Sequence, residues 1–174
     1  MSLPSSSLPT KESFYATVEF PGNYLEFKAN KVNIGKSVDT SGIECLTLMA
    51  FQDILKDPTK GPGVNNLREV LGLHLYLPQG SLTNDRALGR SALPPLLNAY
   101  SGNFFKIIDK IPDMDNRIDS IVDYVGTSGW ITYTWVENNT WIRGTFTLMV
   151  KGPDGKEFQM MGHFNISNTG EHLI

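Results

Sequence analysis

Three histidines, His74, His163 and His172, are the side chains of this 174-residue chain best suited to proton transfer near neutral pH. None has a second histidine at metal-ligand spacing, and Glu171-His172 is a lone adjacent pair, so zinc or non-haem iron chemistry has no anchor. Cys45 is the only cysteine, which rules out an intramolecular disulfide and reads as a small buried apolar residue. Asp113, Asp115 and Asp119 lack the glycine and the glutamate that complete a hand-shaped calcium loop, and read as charge at a helix N-terminus. The glycine-rich dinucleotide and phosphate loops, the Gly-x-Ser-x-Gly elbow and the His-Glu-x-x-His zinc motif are absent. No metal and no cofactor are expected.

What remains is a polar row. His163 is suited to acid or base work, Arg143 to holding a negative charge, and Trp130 or Trp141 to walling a substrate. Thr132, Thr134, Thr145, Met161 and Asn165 share that row and form, with the two tryptophans, the expected ligand contacts. His74 and Tyr76 project together from another strand and extend the set. The plainer account of the same residues is a solvated outer face.

The row emerges from a three-stranded meander between Trp130 and Ile166 whose register follows from its turns. Asn138-Asn139 suits a two-residue type I′ turn, because both positions need positive φ, and this sets Trp135 opposite Ile142 and Ile131 opposite Phe146. Pro153-Asp154-Gly155 suits a three-residue loop with glycine in the left-handed position, which sets Val150 opposite Phe158, Phe146 opposite Gly162 and Gly144 opposite Phe164. The two registers agree on one inward face, and each glycine lands beside an aromatic ring. A slip by one residue in either hairpin carries Arg143 or Glu157 into the apolar row.

Upstream, Phe14, Ala16, Val18 and Phe20 alternate with polar residues, and Pro21-Gly22-Asn23 turns the chain into a second strand carrying Leu25, Phe27 and Ala29 and running to about Val32. A further turn falls at Asp39 to Gly42. Ile43 to Met49 reads as a strand, and Ala50, Phe51, Ile54 and Leu55 as a short helix ended by Pro58. Leu71, Leu73, Leu75 and Leu77 mark a strand ending at Pro78. Between 84 and 125 the spacing turns helical: Ser91, Asn103 and Asp113 or Asp115 precede apolar segments as caps do, the last with Met114, Ile118, Ile121, Val122 and Val125.

The expected architecture is therefore α+β: an antiparallel sheet of about seven strands, closed or partly closed into a barrel, with a helical insertion at about 84–125 before the meander. Residues 13–168 form the domain, 1–12 a flexible lead-in and 169–174 a tail. The succession of strands resembles the lipocalin-like barrels in architecture alone, since their Gly-x-Trp signature near the first strand is absent here.

At 19.3 kDa and 40% hydrophobic residues, the chain fits one domain with one core. A net charge of -3 with scattered Lys and Arg offers no field for nucleic acid, and no stretch is long and apolar enough for a membrane helix. The opening MSLPSSSLPT has no basic or apolar signal region, which points to a cytoplasmic location, and the Asn-x-Ser/Thr triplets at Asn138 and Asn165 do not decide the compartment. These readings converge on a barrel-like protein that binds a small apolar or amphipathic ligand. The alternatives are a cofactor-free isomerase or cyclase working in the same pocket through His163 and Arg143, and an interaction protein such as a toxin, effector or assembly subunit. The sequence carries no signal for oligomeric state.

Overall fold

The C-terminal meander forms in the register that its turn residues dictate. In the computed structural model, which describes residues 11–20, 22–55, 59–61, 68–78, 83–92, 96–108, 120–136 and 140–174, β8 (Ser120–Val136), β9 (Trp141–Lys151) and β10 (Glu157–Ser167) are successive antiparallel neighbours. Trp135 faces Ile142 and Ile131 faces Phe146 across the first pair. Val150 faces Phe158 and Gly144 faces Phe164 across the second. Gly155 has φ +78°, the left-handed conformation the second turn requires. The Asn138-Asn139 turn itself lies outside the described residues.

The remaining strands are β1 (Ser13–Phe20), β2 (Asn23–Lys28), β3 (Lys31–Val38), β4 (Glu44–Leu55), β5 (Arg68–Pro78), β6 (Thr83–Leu88), β7 (Ser101–Ile108) and β11 (Glu171–Leu173). All eleven belong to one antiparallel sheet, ordered β11-β3-β4-β5-β7-β8-β9-β10-β1-β2, with β6 pairing β8 beyond β7. The protein is thus all-β, a curled half-barrel rather than a closed one, with β2 and β11 at the ends of the path. There are more strands than the seven or so expected, and no helix among the described residues. Among the described residues no helix is therefore long and apolar enough to cross a membrane.

The helical insertion at 84–125 is replaced by β6, β7 and the first part of β8. The reason is that this stretch is apolar on both faces. Phe104 enters the core while Phe105 packs on the opposite face against Phe51 and His74, so the period-two signal is erased and helix spacing appears by default. Ile121, Val122 and Val125 are β-branched and occupy a strand. Met114, Ile118 and the three aspartates lie outside the described residues. The short helix at Ala50–Leu55 is likewise the continuation of β4, with Ala50 in the core and Phe51 outside. Val32 belongs to β3, not to the first hairpin.

Asn30 makes the corner that ends that hairpin. Its N–H donates to Phe51 O, its Nδ2 donates to Asp53 O at 3.1 Å, and its carbonyl accepts from Ile174 N. The curl brings the two ends of the sheet together around one core. Phe14 stacks on Phe164 at 5.4 Å and meets Phe27 edge-on at 6.2 Å, and Phe27 reaches Phe104 of β7 at 6.5 Å. Tyr133, Phe146 and Phe164 are buried here too. The concave side is filled by these rings, so a ligand space has to be sought on the other face.

Candidate functional site

Alternation sends Leu48, Leu73, Leu75, Leu77 and Phe104 into the core, and therefore sends Thr47, Met49, His74, Tyr76, Asn103 and Phe105 outward from the same three strands. An outward row normally meets water. Here Tyr76, Thr47 and Asn103 are buried nonetheless, because the segment before β7 lies over the sheet. Asp39 fastens that segment. One carboxylate oxygen accepts from Ser41 N and Ile43 N at 2.8 Å each, and the other accepts from Ala99 N at 3.3 Å. Thr40 adds bonds to Leu97 O and Asn98 Oδ1. The backbone donor at Ile43 does most to hold the Asp39 carboxyl below its usual range.

Beneath Leu96 and Leu97 lies a pocket of about 370 Å³ floored by β3, β4, β5, β7 and β8. Met49, Phe105, Ile107 and Ile121 make its apolar wall, and Leu96 and Ile121, each 60% exposed, stand at its rim. Ser37 and Thr47 also line it, and their hydroxyls are bonded to each other at 2.8 Å. Phe105 lies across Gly72, whose missing side chain leaves the ring room, and meets His74 edge-on at 5.0 Å.

The polar centre of the pocket is His74, Tyr76 and Asn103. His74 and Asn103 are directly opposed on β5 and β7, and His74 Nδ1 lies 3.1 Å from Tyr76 Oη. Burial pushes the His74 imidazole down to about 4, so it is neutral at physiological pH. Burial pushes the Tyr76 phenol up, and Asp123 adds to the rise. The Asn103 amide is close enough to offset part of it, yet its Nδ2 makes no hydrogen bond of good geometry. Its Oδ1 accepts from Gly126 N at 3.4 Å. His74 Nε2 and Asn103 Nδ2 are both closed off from water and have no partner among the described residues. Each such orphan costs roughly 1–3 kcal/mol of stability. Two such groups on opposed residues at a pocket are polar features that a bound molecule could satisfy.

A neutral His74 ties stability to pH. The unfolded chain takes up this proton as pH falls through the ordinary histidine value of 6.5, whereas the folded chain resists until about 4. Stability is therefore full above 6.5 and declines between the two values, by about 3 kcal/mol at the lower end. Urea unfolding at pH 7 and pH 4 should show this loss reduced by about that amount in His74→Phe. An identical loss in both proteins would mean that the imidazole titrates freely.

Of the residues that the sequence singles out, His74 and Tyr76 line the pocket and the others do not. His163, Thr145 and Thr132 form one cross-strand row, and Asn165, Arg143 and Thr134 the next, as the register requires. That row lies on the outer face of β8, β9 and β10, where His163, Arg143, Thr132 and Thr145 are exposed. His163 rests against the Tyr15 ring at 5.5 Å. Trp130, 49% exposed, donates its indole N–H to Asp85, which also accepts from Thr132 Oγ1 at 2.9 Å. Met161 is exposed, Trp141 is half-buried, and Asn165 Nδ2 donates to Lys11 O at 3.3 Å. His172 is bound to Glu12 at 2.8 Å and fastens the last strand to the start of the described chain. Among the described residues no group of His, Cys, Asp and Glu is placed to hold a metal.

Comparison with protein-family models, with curated proteins and with solved structures finds no match for this chain. Its function has to be argued from the pocket.

Sequence reasoning missed Asn103, Phe105, Met49, Thr47 and the covering pair Leu96 and Leu97. Asn103 looks like a helix cap because it precedes an apolar run. The one available signal was Gly72, an isolated glycine within a strand, which marks a close approach by a neighbour.

Proposed function

We propose that this protein binds a small, largely apolar molecule in the outer-face pocket between β3 and β8, under Leu96 and Leu97. The observation that carries the reading is the pocket itself: about 370 Å³, apolar at its walls, with its polar groups gathered at His74, Tyr76 and Asn103. Small-molecule sites combine these properties, an apolar cleft of a few hundred Å³ with a few convergent polar groups. Of the ligand contacts expected from sequence, the proposal keeps His74 and Tyr76. Trp130, Thr132, Thr134, Trp141, Thr145, Met161 and Asn165 have no part in it, nor has acid-base work by His163 and Arg143, whose side chains face solvent.

The affinity can be bounded. A ligand that buries about 200 Å² of apolar surface at about 25 cal/mol per Å² gains about 5 kcal/mol, a Kd of about 0.2 mM. Calorimetric titration with ethylbenzene should return saturable binding no tighter than about that value. Met49→Trp places an indole in the pocket and should weaken binding at least about tenfold, with unfolding behaviour little changed. Equal affinity in the two proteins would place the ligand elsewhere and end the proposal.

A further inference from the structure

We infer that the ligand of this pocket is uncharged and carries a hydrogen-bond-accepting oxygen, as a ketone, aldehyde or amide does, on its apolar frame. This rests on the pocket being the binding site proposed above. The inference comes from counting donors and acceptors. Asn103 is 6% exposed, and its Oδ1 is committed to Gly126 N, which leaves the Nδ2 donors at the pocket floor without a partner among the described residues. With Tyr76 as the donor, its O–H reaches His74 Nδ1 at 3.1 Å. That bond puts the imidazole hydrogen on Nε2, the second unpartnered nitrogen. Two N–H donors on directly opposed residues therefore await one acceptor. Both are shut off from water, so a ligand oxygen reaches them when the amide or the imidazole turns toward the cavity, exchanging the long 3.4 Å Gly126–Asn103 bond or the Tyr76–His74 bond for one to the ligand.

Charge separates an uncharged oxygen from a carboxylate. Among the described lining residues there is no Lys or Arg, and the ionisable group at the rim is Asp123. His74 is held neutral by its burial and supplies no cation. A carboxylate entering this pocket loses its hydration, meets no counter-charge and approaches an acidic rim, whereas a carbonyl keeps its dipole and gains two donors. The Ser37 and Thr47 hydroxyls are already bonded to each other and do not compete for the oxygen.

Ethylbenzene, acetophenone and benzoate share a frame and differ in the group that would meet the donors. Each is titrated by calorimetry into the full chain and into Asn103→Leu. The inference expects acetophenone to bind at least as tightly as ethylbenzene despite its stronger hydration, and benzoate to bind at least about tenfold more weakly than acetophenone. In Asn103→Leu, acetophenone should lose about tenfold more affinity than ethylbenzene does. Benzoate binding as tightly as acetophenone overturns the inference without any variant, so a failure of Asn103→Leu to fold leaves the test intact. Acetophenone binding no more affected than ethylbenzene binding by a folded Asn103→Leu also overturns the inference. If neither ethylbenzene nor acetophenone binds, the pocket reading itself fails, and the inference with it.

Discussion

Gly162→Ala should destabilise the protein by about 3 kcal/mol or more, enough to abolish folding if the domain is of ordinary stability. A Cβ at this position would lie 2.3 Å from the Tyr15 carbonyl oxygen and 2.7 Å from the Phe146 ring. Neither neighbour can yield cheaply. The carbonyl belongs to β1, which pairs with β10 from Ser13 to Glu19, so moving it disturbs a whole ladder. The ring is buried and packs at 5.9 Å from Phe14 and 6.4 Å from Phe164. Gly35→Ala is the control, because a Cβ there meets only Met49 Cε at an ordinary 3.5 Å. Urea unfolding of the two variants should separate them clearly. Near-native stability of Gly162→Ala would mean that β1 and the aromatic core do not close over β10 as described.

Gly72→Ala should do the reverse, sparing the fold and spoiling the site. A Cβ on Gly72 would lie 2.0 to 2.5 Å from the outer atoms of the Phe105 ring. These are the far end of a side chain that is only half-buried and borders open pocket, so the ring can swing aside at about 1 kcal/mol. The direction open to it is the pocket. It would leave its edge contacts with His74 and Phe51 and occupy volume that a ligand needs. Ethylbenzene affinity should fall at least about tenfold while the unfolding midpoint moves little. Wild-type affinity in this variant would show that Phe105 does not shape the binding surface.

The two glycines also mark what the sequence made legible. Gly162 beside Phe146 could be read directly, because the register of β9 and β10 is set by a local turn whose residues announce its geometry. The same reasoning placed Gly144 beside Phe164 and collected His163, Arg143 and the threonines on the opposite face. Alternation tells which residues share a face, but not whether that face is covered. Nothing local distinguishes the outward row of β8 to β10, which meets solvent, from the outward row of β4, β5 and β7, which is covered by a segment that Asp39 fastens from far away in sequence. Covering that row is also what hid the strands. Once Phe105 and Ile107 are needed outside and Phe104 inside, β7 loses its alternation and imitates a helix with Asn103 as its cap. How far the sheet curls was illegible for a related reason, since it depends on the Asn30 corner and the contact of Phe27 with Phe104 across the curl.

The central claim is that small apolar ligands enter the outer-face pocket of β4, β5 and β7 and not the polar face of the meander. Backbone amide chemical-shift mapping of the isotope-labelled chain during an acetophenone titration tests it most directly. Saturable shifts should centre on Thr47, Met49, His74, Asn103 and Phe105, with the amides of Thr132, Thr145 and His163 unmoved. Shifts centred instead on Thr132, Thr145 and His163, or none that saturate, would contradict the account.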